Sequence, residues 1–430
     1  MLFVNLFIRQ LTGIRFIAAA WVLLYHLQAP LDQLGVLFAG FADVLRVGRL
    51  GVDLFFALSG FILTHTYLTK LGQHPHWKAS LKFWWLRLAR IYPVHLVMLV
   101  VAGVAVVAAA KVTGDALARD WLTPWDFIKN LLLIQEWGPN PQRGWNFVSW
   151  SLSMEWLAYL LFPLAILLIW RLAKYAPRWA FAIAWFAVLV PLLAYGSTTG
   201  DPYYTDNWGS TIRILTEFTA GSITYIFVKS FMNEQGDGSA RTERVATALS
   251  ILMPIGVIIG AIALANIPAA QPGLPTAGEE ALPPYFHLWL VPLLIVWIGA
   301  LALSRRWVAT AFSTKALVLG GFISYSLYMT HLVWFGLWRA GMRAIGISGG
   351  ALYAIATIGL VIGAIVIAWL MWRFVEEPAR EWMRKLVGTR PVPTEEAGEA
   401  GKASDAHDLA EPVAIPEAPQ APRDQRDPSA

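Results

Sequence analysis

Cysteine is absent from all 430 residues, which excludes disulfides, a thiol nucleophile and thiolate metal sites. Any nucleophilic or acid–base chemistry therefore falls to other groups. Charge is scarce as well: Asp, Glu, Lys and Arg make up 14% of the chain against 57% hydrophobic residues. Mean hydropathy is positive. A soluble fold of this size carries far more charge, so the composition reads as a polytopic membrane protein. No cleavable signal peptide is evident. The opening MLFVNLFI is apolar but too short for an h-region, and the segment 11–29 is expected to act as an uncleaved signal anchor. No internal repeat with paired broken helices is present, which argues against a transporter built from inverted halves. The net charge of +5 does not point to nucleic acid, because the basic residues are scattered between apolar spans, where membrane orientation explains them better.

What is present is a series of apolar runs of membrane-spanning length. The fold class expected is all-α, a polytopic helical bundle of about ten transmembrane helices. They fall near 11–29, 50–68, 91–110, 150–170, 179–195, 212–231, 245–267, 285–303, 316–338 and 352–374. Lys and Arg alternate between the connections. Lys70, Lys78, Lys82, Arg87 and Arg90 lie on one side with Arg171, Lys174 and Arg178, whereas the opposite stretches 196–210 and 268–284 contain neither residue. The positive-inside rule then places both termini in the cytoplasm. The segment 120–137, broken by Pro124, Asp126 and Lys129, reads as an interfacial or re-entrant helix, with an eleventh span as the alternative. Many Trp residues sit near span ends, most as interface anchors and a minority as candidates to line a sugar or substrate surface. Residues 1–387 form the membrane domain. From 388 to 430 the chain turns rich in Pro, Ala, Glu and Asp without aromatics, as a disordered cytoplasmic tail does.

Several spans carry residues that a membrane interior tolerates only for a reason. In LTGIRFIAAAWVLLYHL, Arg15 and His26 are eleven residues apart. At about 100° per residue they share one helix face, about 16 Å apart along the axis. They stack a cation and a titratable base on one stripe, unless Arg15 merely snorkels to headgroups and His26 packs. GVDLFFALSGF places Asp53 near the end of the second span, with Ser59 and Gly60 suited to close helix packing. Asp53 is either a paired intramembrane acid or a carboxylate at a helix start. In KFWWLRLARIYP, Arg87 and Arg90 lie one turn apart, a spacing that grips phosphates with forked, charge-assisted hydrogen bonds or serves as a topological signal. WSLSMEW puts Glu155 inside the fourth span with Ser151 at i−4 and Tyr159 at i+4; a lone carboxylate there needs a partner on another helix. In SYSLYMTH, Ser324, Tyr328 and His331 form one polar stripe. Glu376 and Glu377, before Pro378, read as the exit from the last span.

These elements, in this order from Leu11 to about Arg384, resemble the motifs of the acyltransferase-3 family of membrane acyl-CoA transferases: the R-x10-H opening, the GVDLFFALSGF string, RxxRIxP, WSLSxE, Y-S-x-Y-x-x-H and the terminal RFVEEP. Many members continue into an extracytoplasmic SGNH esterase-like domain, and the chain looks like a stand-alone form. The resemblance implies an O-acyltransferase of a bacterial-type inner membrane. Its donor would be acyl-CoA, with a bias to acetyl-CoA, and its acceptor a carbohydrate or glycolipid of the envelope. The expected partners are thus the donor, the acceptor and membrane lipids, without metal or nucleic acid.

On this basis Arg15, Arg87 and Arg90 are expected to bind the donor. His26 is the candidate general base, with Glu155 or Asp53 holding its imidazole. Ser151, Tyr328 and His331 are candidate substrate contacts. The rival reading is a transporter or flippase whose intramembrane Arg, His, Asp and Glu make a proton or substrate path.

Overall fold

The computed structural model describes residues 2–33, 35, 41–113, 122–137, 145–198, 208–232, 238–265 and 286–388. Twelve helices frame the bundle: α1 (Leu2–His26), α2 (Leu50–Tyr67), α3 (Trp77–Thr113), α4 (Pro124–Leu131), α5 (Trp150–Tyr175), α6 (Arg178–Thr198), α7 (Gly209–Lys229), α8 (Ala240–Ala265), α9 (Val291–Leu303), α10 (Lys315–Ala344), α11 (Gly350–Met371) and α12 (Glu377–Lys385). The physical cause is common to the long ones. In hydrocarbon every backbone N–H and C=O must be satisfied inside the segment, and an apolar run does that as a helix. Among the described residues the only β pairing is one isolated bridge between Met232 and Gly238.

Among the described residues, eight stretches are long and apolar enough to cross a membrane, namely α2, α3, α5, α6, α8, α9, α10 and α11 with their extensions. The other two expected spans are long helices too, α1 and α7, and α7 is the more polar of the two. The polarity of α7 is explained by its place. It packs against α2, α5, α6 and α9, so that Arg213 and Glu217 are wholly buried. By contrast α8 and α11 expose Ile251, Leu252, Ile259, Ile355, Ile358 and Ile362, as lipid-facing helices do. In the segment 120–137, the described part holds only the eight-residue α4, too short to span. Its start is set by Thr123, whose hydroxyl accepts from the Asp126 amide at 3.1 Å, followed by Pro124 at the first helical position. The tail expected from 388 lies outside the described residues, Gly388 apart.

Two close helix pairs hold the functional helices in register. α2 meets α7 where Gly60 leaves no room for a Cβ against the Phe218 carbonyl and Gly221 none against that of Ala57. α1 meets α10 where Gly321 abuts the Thr12 carbonyl and Gly320 the ring of Phe16. Without a hydrophobic force between helices in lipid, such backbone approach supplies the dispersion contact that joins them. A third contact, Gly51 against the Ala18 carbonyl, fastens α2 to α1. Gly60 thus does what its sequence suggests. Its neighbour Ser59 does something else, as the cavity beside α2 shows.

Two π-helical turns interrupt the regular pattern, at Leu68–Gln73 after α2 and at Trp372–Glu376 before α12. The second carries Glu376 into the interior, where it is 0% exposed. This departs from the expected exit from the membrane: the extra residue in the turn rotates the side chain inward, where Arg90 and Ser326 meet it.

Candidate active site

A cavity of about 130 Å³ lies between α1, α2, α3, α5 and α10. Arg15, Ser59, Arg87, Arg90, Ser151, Glu155, Tyr159, Ser324, Tyr325 and Tyr328 supply its polar wall, and Phe55, Phe56, Ile62, Leu63, Ile91 and Leu152 its apolar one. Five helices thus bring together Arg15, Arg87, Arg90, Glu155, Ser151 and Tyr328 from the sequence-derived set. A second, smaller cavity is lined by His26, Tyr25, Arg49, Phe147, Val148 and Trp150, with Val52 and Tyr328 common to both. Tyr328 is therefore part of the partition. Its hydroxyl donates to the Val148 carbonyl at 3.0 Å and lies 2.8 Å from Ser151 Oγ, which ties α10 to the start of α5 across the boundary.

The three arginines of the larger cavity are not equivalent. Arg90 donates to Glu376, which also accepts from Ser326 Oγ at 2.7 Å. Its guanidinium lies 5.7 Å from the centre of the Tyr325 ring. Arg15 and Arg87 have no carboxylate partner within ion-pair distance among the described residues, and the buried Nε of Arg87 lacks a hydrogen-bond partner. Glu155 is the single carboxylate on the cavity wall among the described residues, and it is fixed from two sides: Ser59 Oγ donates at 2.7 Å, and the Tyr159 hydroxyl donates from one turn further along α5. Ser59 therefore belongs to the site. Its sequence context assigns it with Gly60 to packing, but one residue of offset along α2 turns a side chain by about 100° from the α7 contact towards the cavity.

His26 closes α1, eleven residues beyond Arg15 as the shared face requires. Its Nδ1 is 2.9 Å from the Val22 carbonyl and 3.2 Å from Nε2 of His331. Neither carboxylate expected beside it is there. Glu155 is engaged by Ser59 and Tyr159, and Asp53 by Arg213, which reaches Asp53 Oδ1 at 2.8 Å from both Nε and Nη2. Arg213 also stands 4.0 Å from Glu217 and 5.1 Å from the centre of the Trp150 ring, so Arg213 and Trp150 connect Asp53 to the wall of the smaller cavity. The signal that points to Arg213 and Glu217 is in the chain, an ionisable pair at i, i+4 within an expected span. Among the described residues no three His, Asp or Glu side chains converge as a metal site requires.

The acyltransferase-3 family model, which describes an acyltransferase domain, matches residues 8–373. The chain is similar to the acyltransferase MdmB of Streptomyces mycarofaciens, 28% identical over 425 residues covering 90% of this chain and 96% of that one. It is also similar to the peptidoglycan O-acetyltransferase OatA of Listeria monocytogenes, 23% identical over 405 residues covering 87% of this chain and 56% of that one. The chain thus spans little more than half the length of the Listeria protein. No solved structure matches it.

Proposed function

Because the chain belongs to the acyltransferase-3 family, we propose that it transfers an acyl group, acetyl by preference, from cytoplasmic acyl-CoA to a hydroxyl of a cell-envelope or exported glycan or glycolipid. The observation that carries the reading is the charge balance of the larger cavity. Three arginines face one carboxylate there, and Glu376 occupies only one of the three. Arg15 and Arg87 retain donors for an anion, the need that the phosphates of CoA meet. The apolar wall of Phe55, Phe56, Ile62 and Leu63 suits the acyl-pantetheine arm. Arg90 then contributes field and position more than direct grip.

The chain lies in a bacterial inner membrane with both termini cytoplasmic, which brings the N-terminal part of α3 and its arginines to the donor side. The smaller cavity with His26 takes the acceptor. The acceptor hydroxyl gives its proton to His26 as its oxygen attacks the thioester carbonyl carbon. The new C–O bond forms, the C–S bond breaks, and the departing thiolate receives the proton as free CoA. Glu155, held by Ser59 and Tyr159, is the counter-charge to the arginines that face the cavity. Ser151 and Tyr328 shape the partition at which donor and acceptor meet. Asp53 acts at a distance, holding Arg213 over Trp150. The Listeria relative, a peptidoglycan O-acetyltransferase by name, supports a glycan hydroxyl as acceptor.

The test is acceptor-dependent release of CoA by the purified protein in lipid vesicles, with mass spectrometry of envelope glycans and lipids to find the acceptor. His26→Gln and His26→Ala are expected to insert normally, bind donor and lose transfer by about 10²- to 10⁴-fold. Near-normal turnover by a well-folded Gln variant overturns the base assignment. Substrate movement without consumption of acyl-CoA supports the transporter instead.

A further inference from the structure

The geometry points to His331 as the positioning residue that fixes the tautomer of His26, and not as a substrate contact. The inference rests on the reading of His26 as general base. His331 is 1% exposed on α10, and its Nδ1 lies 2.7 Å from the Tyr328 carbonyl and 3.2 Å from that of Leu327. A carbonyl oxygen only accepts, so Nδ1 of His331 carries the proton and donates it. A neutral imidazole has one N–H, which leaves Nε2 of His331 with its lone pair. That lone pair faces Nδ1 of His26 at 3.2 Å. His26 Nδ1 meets a second acceptor, the Val22 carbonyl, at 2.9 Å. Two acceptors converge on one nitrogen, so the His26 proton resides on Nδ1 and its Nε2 keeps the lone pair.

This is the protonation pattern a general base needs, and free imidazole side chains in water favour the opposite one. The backbone of α10 therefore dictates, through two imidazoles in series, which nitrogen of His26 is basic. When Nε2 of His26 takes the acceptor proton, the ring becomes an imidazolium whose Nδ1–H still points at the His331 lone pair. A neutral acceptor then steadies the charge in the way a carboxylate does in hydroxyl-activating triads. The nearby Asp53 is committed to Arg213, which leaves this task to His331. The Gly320 and Gly321 contacts with α1 hold α10 close enough for the two rings to meet.

The first test needs no variant at His331. Long-range ¹⁵N–¹H correlation on histidine-labelled protein in lipid nanodiscs, with His26→Gln supplying the difference spectrum, reads which His26 nitrogen carries the proton. Nδ1–H is expected, and Nε2–H overturns the inference. The second test compares His331→Phe, which cannot accept, with His331→Gln, whose amide oxygen can. The Phe variant is expected to lose about 10- to 100-fold in kcat, the worth of a hydrogen bond to a charged group, with KM for acetyl-CoA within about two-fold. The Gln variant is expected to recover to within about five-fold of the parent. Equal loss in both, with the Nδ1–H signal of His26 intact, makes His331 a packing residue and overturns the inference while leaving the base assignment standing. A fully active His26→Gln variant instead overturns the reading beneath it.

Discussion

Arg87 and Arg90 belong to one motif and face one cavity, yet their substitution should do different things. Arg90 forms an ion pair with Glu376, whose side chain is 0% exposed against 19% for that of Arg90. Arg90→Ala leaves a fully buried carboxylate that keeps the hydrogen bond from Ser326 but loses its cation. Breaking a buried pair in this way costs about 3–5 kcal/mol, chiefly the desolvation of the orphaned charge. Glu376→Gln is milder, toward ~2–3 kcal/mol, because Arg90 keeps access to the cavity and to the face of Tyr325. Arg87 has no carboxylate partner among the described residues, so Arg87→Ala should cost under ~1 kcal/mol in stability. If it grips a CoA phosphate, it should instead cost ~1–3 kcal/mol in donor affinity. Lys at 87 should rescue only partly, for want of the planar fork. The assay pairs thermal unfolding in detergent with CoA-binding titration for Arg87→Ala, Arg90→Ala, Glu376→Gln and the double variant Arg90→Met with Glu376→Met. The double variant should recover at least ~2 kcal/mol of what Arg90→Ala loses. Parental stability in Arg90→Ala, or equal loss of stability at 87 and 90, would refute the division of labour. Unchanged CoA binding in the double Ala variant at 87 and 90 would remove both from the donor site.

Three shorter predictions accompany it. A cysteine placed at the exposed Lys78, convenient because the parent has none, should resist impermeant maleimide in intact cells and react after permeabilisation; labelling from outside refutes the proposed orientation. Gly221→Leu should lower membrane abundance and cost at least ~1–3 kcal/mol, since its side chain collides with the Ala57 backbone, and a parental melting point would show that α2 and α7 part easily. Ser59→Ala should keep parental abundance yet lower turnover by roughly ten-fold through the lost bond to Glu155, and normal turnover returns Ser59 to a packing role.

The helices are legible in the sequence because the membrane makes the argument for them: an apolar run of spanning length has only one way to satisfy its backbone. All ten expected spans are helical over their described residues, and α7, the most polar of them, carries Arg213 and Glu217 where its neighbours enclose them. Most of the cavity wall is legible too, since an ionisable residue inside a span calls for a reason to be there, and Arg15, Arg87, Arg90 and Glu155 do converge. What the chain does not disclose is pairing. Asp53 and Glu155 look alike as candidates for steadying His26, and Glu376 looks like a boundary marker, because partner choice depends on crossing angles and on a π-turn that hydropathy does not record. Once the helices are packed the partition follows from electrostatics. A buried carboxylate takes the nearest cation, so Asp53 goes to Arg213 and Glu376 to Arg90. Each pairing neutralises a charge inside the bundle. The imidazole at the end of α1, with no carboxylate among the described residues bonded to its ring, is met by a second imidazole that the backbone of α10 has already oriented.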